Sequence, residues 1–292
     1  MSPGRTASRG TVSAGPLPSP ADPLERFQAV TIQSRLLRQR RNTLVYLPPG
    51  YHDTRARLPI LYLLHGGGMT ELDWVFQGCV HLTLDRLIGL HRIRPMIVAM
   101  PNDGLYAAGT FYTKWYDGTA DFEKHLLEEV MPAVESAVRA KAGRENRAIA
   151  GLSMGGYGAL ALSLRHPRLF CAAASLSGVP MPAPTAIWGR WAWRMFGPRK
   201  GKGALWRRRR DPRCLVARRN NRSVALHLNC GQEDHLLHVN RKFHRLLERL
   251  GRPHEYREFP GGHDWAYWRE HVEEALVFVD GVFAAMQRTT SR

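Results

Sequence analysis

The chain of 292 residues is 44% hydrophobic and 23% charged, enough to bury about three quarters of its unfolded surface in one core, which excludes a disordered or fibrous protein. One α/β domain of roughly 250 residues with a tail is the organisation expected at this size. Against 25 Asp and Glu stand 42 Lys and Arg, a net charge of +17 that attracts anions. Thirteen of those cations fall in residues 185–222, where Asp211 is the single acid.

Residues 1–22, rich in Ser, Pro and Gly, read as a disordered leader ahead of a domain over 23–292. The leader lacks the apolar core of a secretory signal. The longest apolar stretch, 148–164, is interrupted by glycines and serines, so a membrane span is not expected there. Cys79, Cys171, Cys214 and Cys230 form no C-x-x-C pair, which suggests neither a zinc site nor a disulfide framework. A soluble, cytoplasmic protein with reduced thiols is expected.

Thr43 to Leu47 is a β-favouring run closed by Pro48-Pro49-Gly50, and 59–64 is a continuous apolar run ending in His65-Gly66-Gly67-Gly68. A second such run, Met96 to Met100, ends in the turn cluster Pro101-Asn102-Asp103-Gly104. Runs apolar on both faces suit a parallel sheet covered by helices. Asp121 can cap a helix whose apolar positions recur at helical spacing from Phe122 to about Ala140. A third strand, Arg147 to Ala150, runs into Gly151-Leu152-Ser153-Met154-Gly155-Gly156 and a small-residue helix ending near Leu164.

Further strands are expected over Val224 to Asn229 and His254 to Phe259, with helices over Val239 to Leu250 and Trp265 to Met286. The alternation predicts a three-layer α/β architecture with a mostly parallel central sheet. Residues 181–223 interrupt it. Basic, and carrying Trp188, Trp191, Trp193 and Trp206, they read as an insertion over one edge of the domain.

Gly151-x-Ser153-x-Gly155 matches the nucleophile-elbow pattern, weak alone but lying here between an apolar strand and a helix, where that geometry requires it. A serine needs a base, and the chain order Ser, acid, His places both partners downstream. Among the later histidines, His244 and His271 fall within helices, His254 starts a strand, and His235 and His238 crowd the candidate acids. His263 follows a strand and opens a helix, and it is the candidate base. The loop after the 224–229 strand offers Glu233 and Asp234, with Asp234 preferred to orient the imidazole. Asp264 reads as a helix cap.

An oxyanion formed at a carbonyl needs preorganised donors. Met154 N–H is one candidate. The other comes from the 65–68 turn, which resembles the HGGG element of lipases and esterases; Gly67 is preferred, with Gly68 close behind. A phosphate cradle is disfavoured because the turn lacks a P-loop ending and the G-x-G-x-x-G spacing.

The segments YLPPGY (46–51), PILYLLHGGG (59–68), Asp73-Trp74, VAMPNDG (98–104), RAIAGLSMGGYGALALSLRHPRLF (147–170), SLSG (175–178), CGQEDHLL (230–237) and FPGGHDWAYW (259–268) resemble the esterase D and feruloyl-esterase-like branch of the α/β-hydrolases. The branch is kin to S-formylglutathione hydrolases and the antigen 85 mycolyltransferases. This resemblance, over about residues 43–287, implies an α/β-hydrolase fold. It also implies a triad of Ser153, Asp234 and His263, with Gly67 and Met154 in the oxyanion positions.

The expected activity is serine carboxylic-ester hydrolysis through an acyl-enzyme, with no metal or cofactor, on a small-molecule or sugar ester. Gly68, Trp74 and Trp265 are expected to contact the substrate. The alternatives are acyl transfer by the same triad, and contact of the basic 185–222 segment with an anionic surface or nucleic acid.

Overall fold

Apolar residues on both sides of a strand need cover on both sides. The runs β3 (Ile60–Leu64), β4 (Ile97–Pro101) and β6 (Ala172–Leu176) are buried at every position, and β5 (Arg147–Leu152) and β7 (Ala225–Gly231) at every position after the first. The computed structural model describes residues 26–104, 109–181 and 185–290; the expected leader at 1–22 lies outside them. With β1 (Phe27–Ser34), β2 (Gln39–Tyr46) and β8 (Glu255–Phe259), these strands form an eight-stranded sheet in the order β1-β2-β4-β3-β5-β6-β7-β8. The pairings β1–β2 and β2–β4 are antiparallel and all others parallel.

Successive residues of a strand point to opposite faces, and β3 divides its apolar side chains between two cores accordingly. Ile60, Tyr62 and Leu64 meet residues of α5 (Met154–Arg165) and α9 (Leu237–Arg249) and the stretch from Phe122 to Val138. Leu61 and Leu63 meet α2 (Val80–Gly89) and α10 (Trp265–Thr290). The architecture is the three-layer α/β fold expected. Among the described residues no helix is long and apolar enough to cross a membrane, and all four cysteines carry free thiols.

Several elements depart from the sequence expectations. β1 has no counterpart among the expected strands, and β2 begins at Gln39, four residues before the β-favouring run at Thr43. β6, with the sequence AAASL, is a strand because it is walled in by β5 and β7, against the weak β-propensity of alanine. The helix anticipated from Phe122 is α3 (Phe122–Lys124), a π-turn (His125–Val130) and α4 (Met131–Ala137). Pro132 sits in the first turn of α4. Proline removes a helical donor and clashes with the preceding turn, and a π-turn is one way a helix accommodates this. Asp121 caps α3 as expected, accepting from Lys124 N at 3.0 Å.

Between β6 and β7 run α6 (Thr185–Phe196), kinked at Gly189, then α7 (Gly201–Arg208) and α8 (Pro212–Leu215). This segment packs on α5. Ala192, Met195, Phe196 and Leu215 join the core, Phe196 packs edge-on to Phe111 and Tyr157, and Tyr157 Oη donates to Arg210 O at 2.8 Å. Below it lies the buried carboxylate of Glu123, within 2.9 Å of Arg165, 2.7 Å of His166 and 3.9 Å of Arg210. Burial alone would raise its pKa, but the His166 hydrogen bond and the neighbouring charges pull it down to about 2.

A depressed carboxyl stabilises the fold above its ordinary pKa and loses that contribution as pH falls through the folded value. The wild type is therefore expected to lose about 3 kcal/mol between pH 4.5 and pH 2 on this account. Urea midpoints measured across that window should fall less steeply for Glu123→Gln; equal slopes would remove the assignment.

Candidate active site

In an open α/β sheet, ligands bind beyond the carboxyl ends of the strands where the strand order reverses. Here the chain leaves β3 for β4 on one side and returns to β5 on the other, so the reversal lies at the ends of β3 and β5. The residues delivered there are His65–Gly68 and Ser153.

Ser153 is the hinge between β5 and α5, with φ 51° and ψ −115°, a conformation costly for a residue with a Cβ. Its N–H donates to Leu176 O at 2.9 Å, and its C=O accepts from Val179 N at 3.4 Å. Close approach makes Gly155 necessary. A Cβ there would lie 2.5 Å from Leu64 O and 2.7 Å from His65 O. The turn thus presses against the end of β3 and presents the Ser153 hydroxyl beside the 65–68 loop.

His263 Nε2 lies 3.0 Å from Ser153 Oγ, and its Nδ1 lies 2.9 Å from Asp234 Oδ2. The Asp234 side chain is fully buried, and Oδ1 accepts from Leu236 N at 2.7 Å. Burial would raise its pKa, but the hydrogen bonds from His263 and the Leu236 N–H outweigh it, so Asp234 stays ionised below its ordinary value. Glu233, the competing acid, is committed elsewhere. Its side chain accepts from Gly261 N, and its own N–H donates to Gly261 O at 3.1 Å, which ties the acid loop to the histidine loop. Asp264 caps α10, accepting from Tyr267 N at 3.0 Å.

The remaining candidates separate. Met154 is the first residue of α5, where the N–H has no intrahelical acceptor and the helix dipole favours negative charge. Its sulfur accepts from Phe111 N at 3.3 Å, which brings the loop at 109–112 against the same spot. Gly66 O accepts from Met69 N at 3.4 Å, closing a turn in which Gly68 has φ 71°. The third position of such a turn needs a left-handed residue, hence glycine. Gly67 and Gly68 are exposed.

Behind this turn His65 is fully buried, with Nδ1 2.8 Å from Gly66 O and Nε2 3.0 Å from Asp103 Oδ1, while Asp103 also accepts from Thr110 Oγ1. Burial lowers the imidazole pKa, but the Asp103 charge overrides it and leaves the pKa raised.

Trp74 departs from expectation. It is 0% exposed and its Nε1 donates to Leu64 O at 3.1 Å, so it is a packing residue under the site and not a substrate contact. Trp265, half-buried, stands edge-on to Trp74 at 5.5 Å and to Trp268 at 5.4 Å.

Two neighbours of the imidazole escaped sequence reasoning. Trp268 lies edge-on to His263 at 4.9 Å, and the ring of His235 lies 4.7 Å from it. The helical spacing of Trp265 and Trp268 after His263 was the available signal for the first. Among the described residues Asp234, His235 and His263 have metal-ligand spacing, their ligand atoms lying within 4.8 Å of one another, but two of the three are bonded to each other.

A family model described as "Putative esterase" matches residues 34–279. The chain is 37% identical over 160 residues to an endo-1,4-beta-xylanase/feruloyl esterase of Xylanibacter ruminicola, a match spanning 52% of this chain and 21% of that protein. It is 25% identical over 273 residues to an acetyl esterase of Caldicellulosiruptor saccharolyticus, covering 87% of this chain and 97% of the relative. Among solved structures, a ferulic acid esterase superposes with a TM-score of 0.75 at 30% identity, covering 88% of this chain and 98% of the other.

Proposed function

Because the chain belongs to the Esterase family, we propose that it is a serine carboxylic-ester hydrolase in which Ser153 Oγ is the nucleophile, His263 the base and Asp234 the orienting acid. The observation that carries this reading is the single hydrogen-bonded line from Ser153 through His263 to Asp234, at 3.0 and 2.9 Å. As Oγ attacks the acyl carbonyl, His263 Nε2 takes its proton and then gives it to the departing alcohol. The oxyanion is received by the N–H groups of Met154 and Gly67, with Gly68 setting the turn that aims the second. Water, deprotonated by the same imidazole, releases the acid.

Trp265, partly exposed and edge-on to Trp268, which itself stands edge-on to His263, is the aromatic wall for the substrate. Feruloyl and acetyl esters, after which the relatives are named, come first in a substrate screen. Resolution of the same acyl-enzyme by an alcohol would give transfer, and product analysis with glycerol or a sugar present separates the two.

Contact of the 185–222 segment with an anionic surface has a narrower base than its composition suggests. Arg194 is bound to Asp117 and Arg210 is buried, while Arg190, Arg199, Lys200, Lys202, Arg208, Arg209 and Arg218 face outward.

The test of the hydrolase reading is labelling by a fluorophosphonate probe together with turnover of short p-nitrophenyl esters. A folded protein that shows neither would remove the proposal.

A further inference from the structure

Beside α7 and α8 the surface folds into a cavity of about 420 Å³ whose lining carries Arg199, Arg207, Arg208 and Arg213 against one carboxylate, Asp211. That carboxylate is already engaged. Arg213 holds it with Nε at 2.9 Å and a terminal nitrogen at 2.6 Å, and Asp211 also caps α8 through Arg213 N. Arg199 and Arg208 are exposed, and among the described residues neither pairs with a carboxylate. Arg207 is anchored through Nε to Gly197 O at 3.0 Å; burial and then the Arg199 charge lower its pKa, a sign of like charges facing one another. The exposed Arg199 and Arg208 therefore give this concave site a positive potential, and an anion received there lowers it.

One wall of the cavity is tied to the serine turn. Met181, part of its lining, follows two residues after Val179, whose N–H donates to Ser153 O; two residues span about 7 Å at most. From the other side, Tyr157, one helical turn beyond Ser153, holds Arg210 O at 2.8 Å and fixes the end of α7 against α5. Planar guanidiniums bind carboxylates and phosphates with two parallel hydrogen bonds, giving direction as well as charge.

We propose that this cavity is a subsite for a carboxylate or phosphate carried by the ester substrate away from the bond that breaks, so that the enzyme prefers acidic esters. The proposal rests on the hydrolase reading, with the triad breaking the ester while the arginines hold the far end. A small anion is favoured over a polyanionic surface because the cations line a hollow the size of a small-molecule group.

The test uses p-nitrophenyl monoesters of straight-chain dicarboxylic acids of graded length, each beside its methyl-capped neutral counterpart. The wild type should prefer the acidic member by at least about tenfold at one chain length, since a hydrogen bond to a charged group is worth that much. In the double variant Arg199→Gln/Arg208→Gln the preference should fall by about 10- to 100-fold, through KM rather than kcat, with the neutral esters turned over as before. Equal rates for acidic and capped esters at every length would overturn the proposal, as would a preference that survives both substitutions. A third contrary result is loss of salt-sensitive retention on heparin in the variant with the ester ratio unchanged, which would assign the arginines to a polyanion.

Should no ester be hydrolysed and no fluorophosphonate label appear, the hydrolase reading fails by itself. The cavity is then decided by thermal shift with glutarate and with inorganic phosphate. Stabilisation of the wild type and not of the variant supports an anion site, and equal responses refute it.

Discussion

Ser153→Ala should abolish fluorophosphonate labelling and lower kcat/KM on p-nitrophenyl acetate by about 10⁴- to 10⁶-fold. The residue that remains can bind an ester, but no oxygen is left to attack it. Retained labelling would place the nucleophile elsewhere. The same position offers a second readout. Ser153 sits at φ 51° and ψ −115°, and alanine inherits that conformation, so its melting temperature should stay near the wild-type value. Ser153→Gly is equally inactive in this scheme yet relieves the backbone, a gain of about 1 kcal/mol, or a few degrees in Tm. An inactive variant more stable than its parent is the signature of a conformation held for chemistry.

Asp234→Asn is expected to cost about 10⁴-fold in kcat with little change in the arrangement of the side chains. The carboxylate accepts the Nδ1 proton of His263 and so leaves Nε2 free to accept from Ser153. An amide can donate to Nδ1 instead, and the imidazole then carries its proton on the wrong nitrogen. Stability gives the pH check. The Asp234 pKa is depressed despite burial, by the His263 and Leu236 hydrogen bonds, so its ionised form stabilises the fold above the ordinary carboxylate range and ceases to do so as pH falls through the lower folded value. The difference in urea midpoint between wild type and Asp234→Asn should therefore be larger at pH 7 than at pH 3. An invariant difference, or kcat within tenfold of wild type, would remove Asp234 from the role.

The site was legible in the chain because each of its members follows a strand and is punctuated by glycine or a turn residue. His65–Gly68 follows β3, Ser153 follows β5, Asp234 follows β7 and His263 follows β8. The apolar strands β3 and β5 advertise themselves, and what comes next is the 65–68 turn and Ser153. The edge strands were harder to read, since β1 alternates with polar residues and half of β2 faces solvent. β6 is made of alanines whose strand state is imposed by its neighbours. Trp74 was misjudged because an aromatic next to a site motif can serve as lining or as foundation, and adjacency in the chain does not say which. The hollow behind Met181 has no local signature at all; it arises where α7 and α8 fold back on α5.

The paired contacts between Glu233 and Gly261 separate the machinery into two halves. One clasp joins the strand ends that carry the acid and the base, while the serine is fastened by separate contacts to the end of β6 through Leu176 and Val179. A proton relay whose imidazole is held at Nδ1 by Asp234 keeps that hold when the nucleophile is changed. The attacking group at position 153, or the walls around it, can therefore be rebuilt while the imidazole keeps its orientation, which makes this scaffold a starting point for new acyl chemistry that leaves the relay untouched.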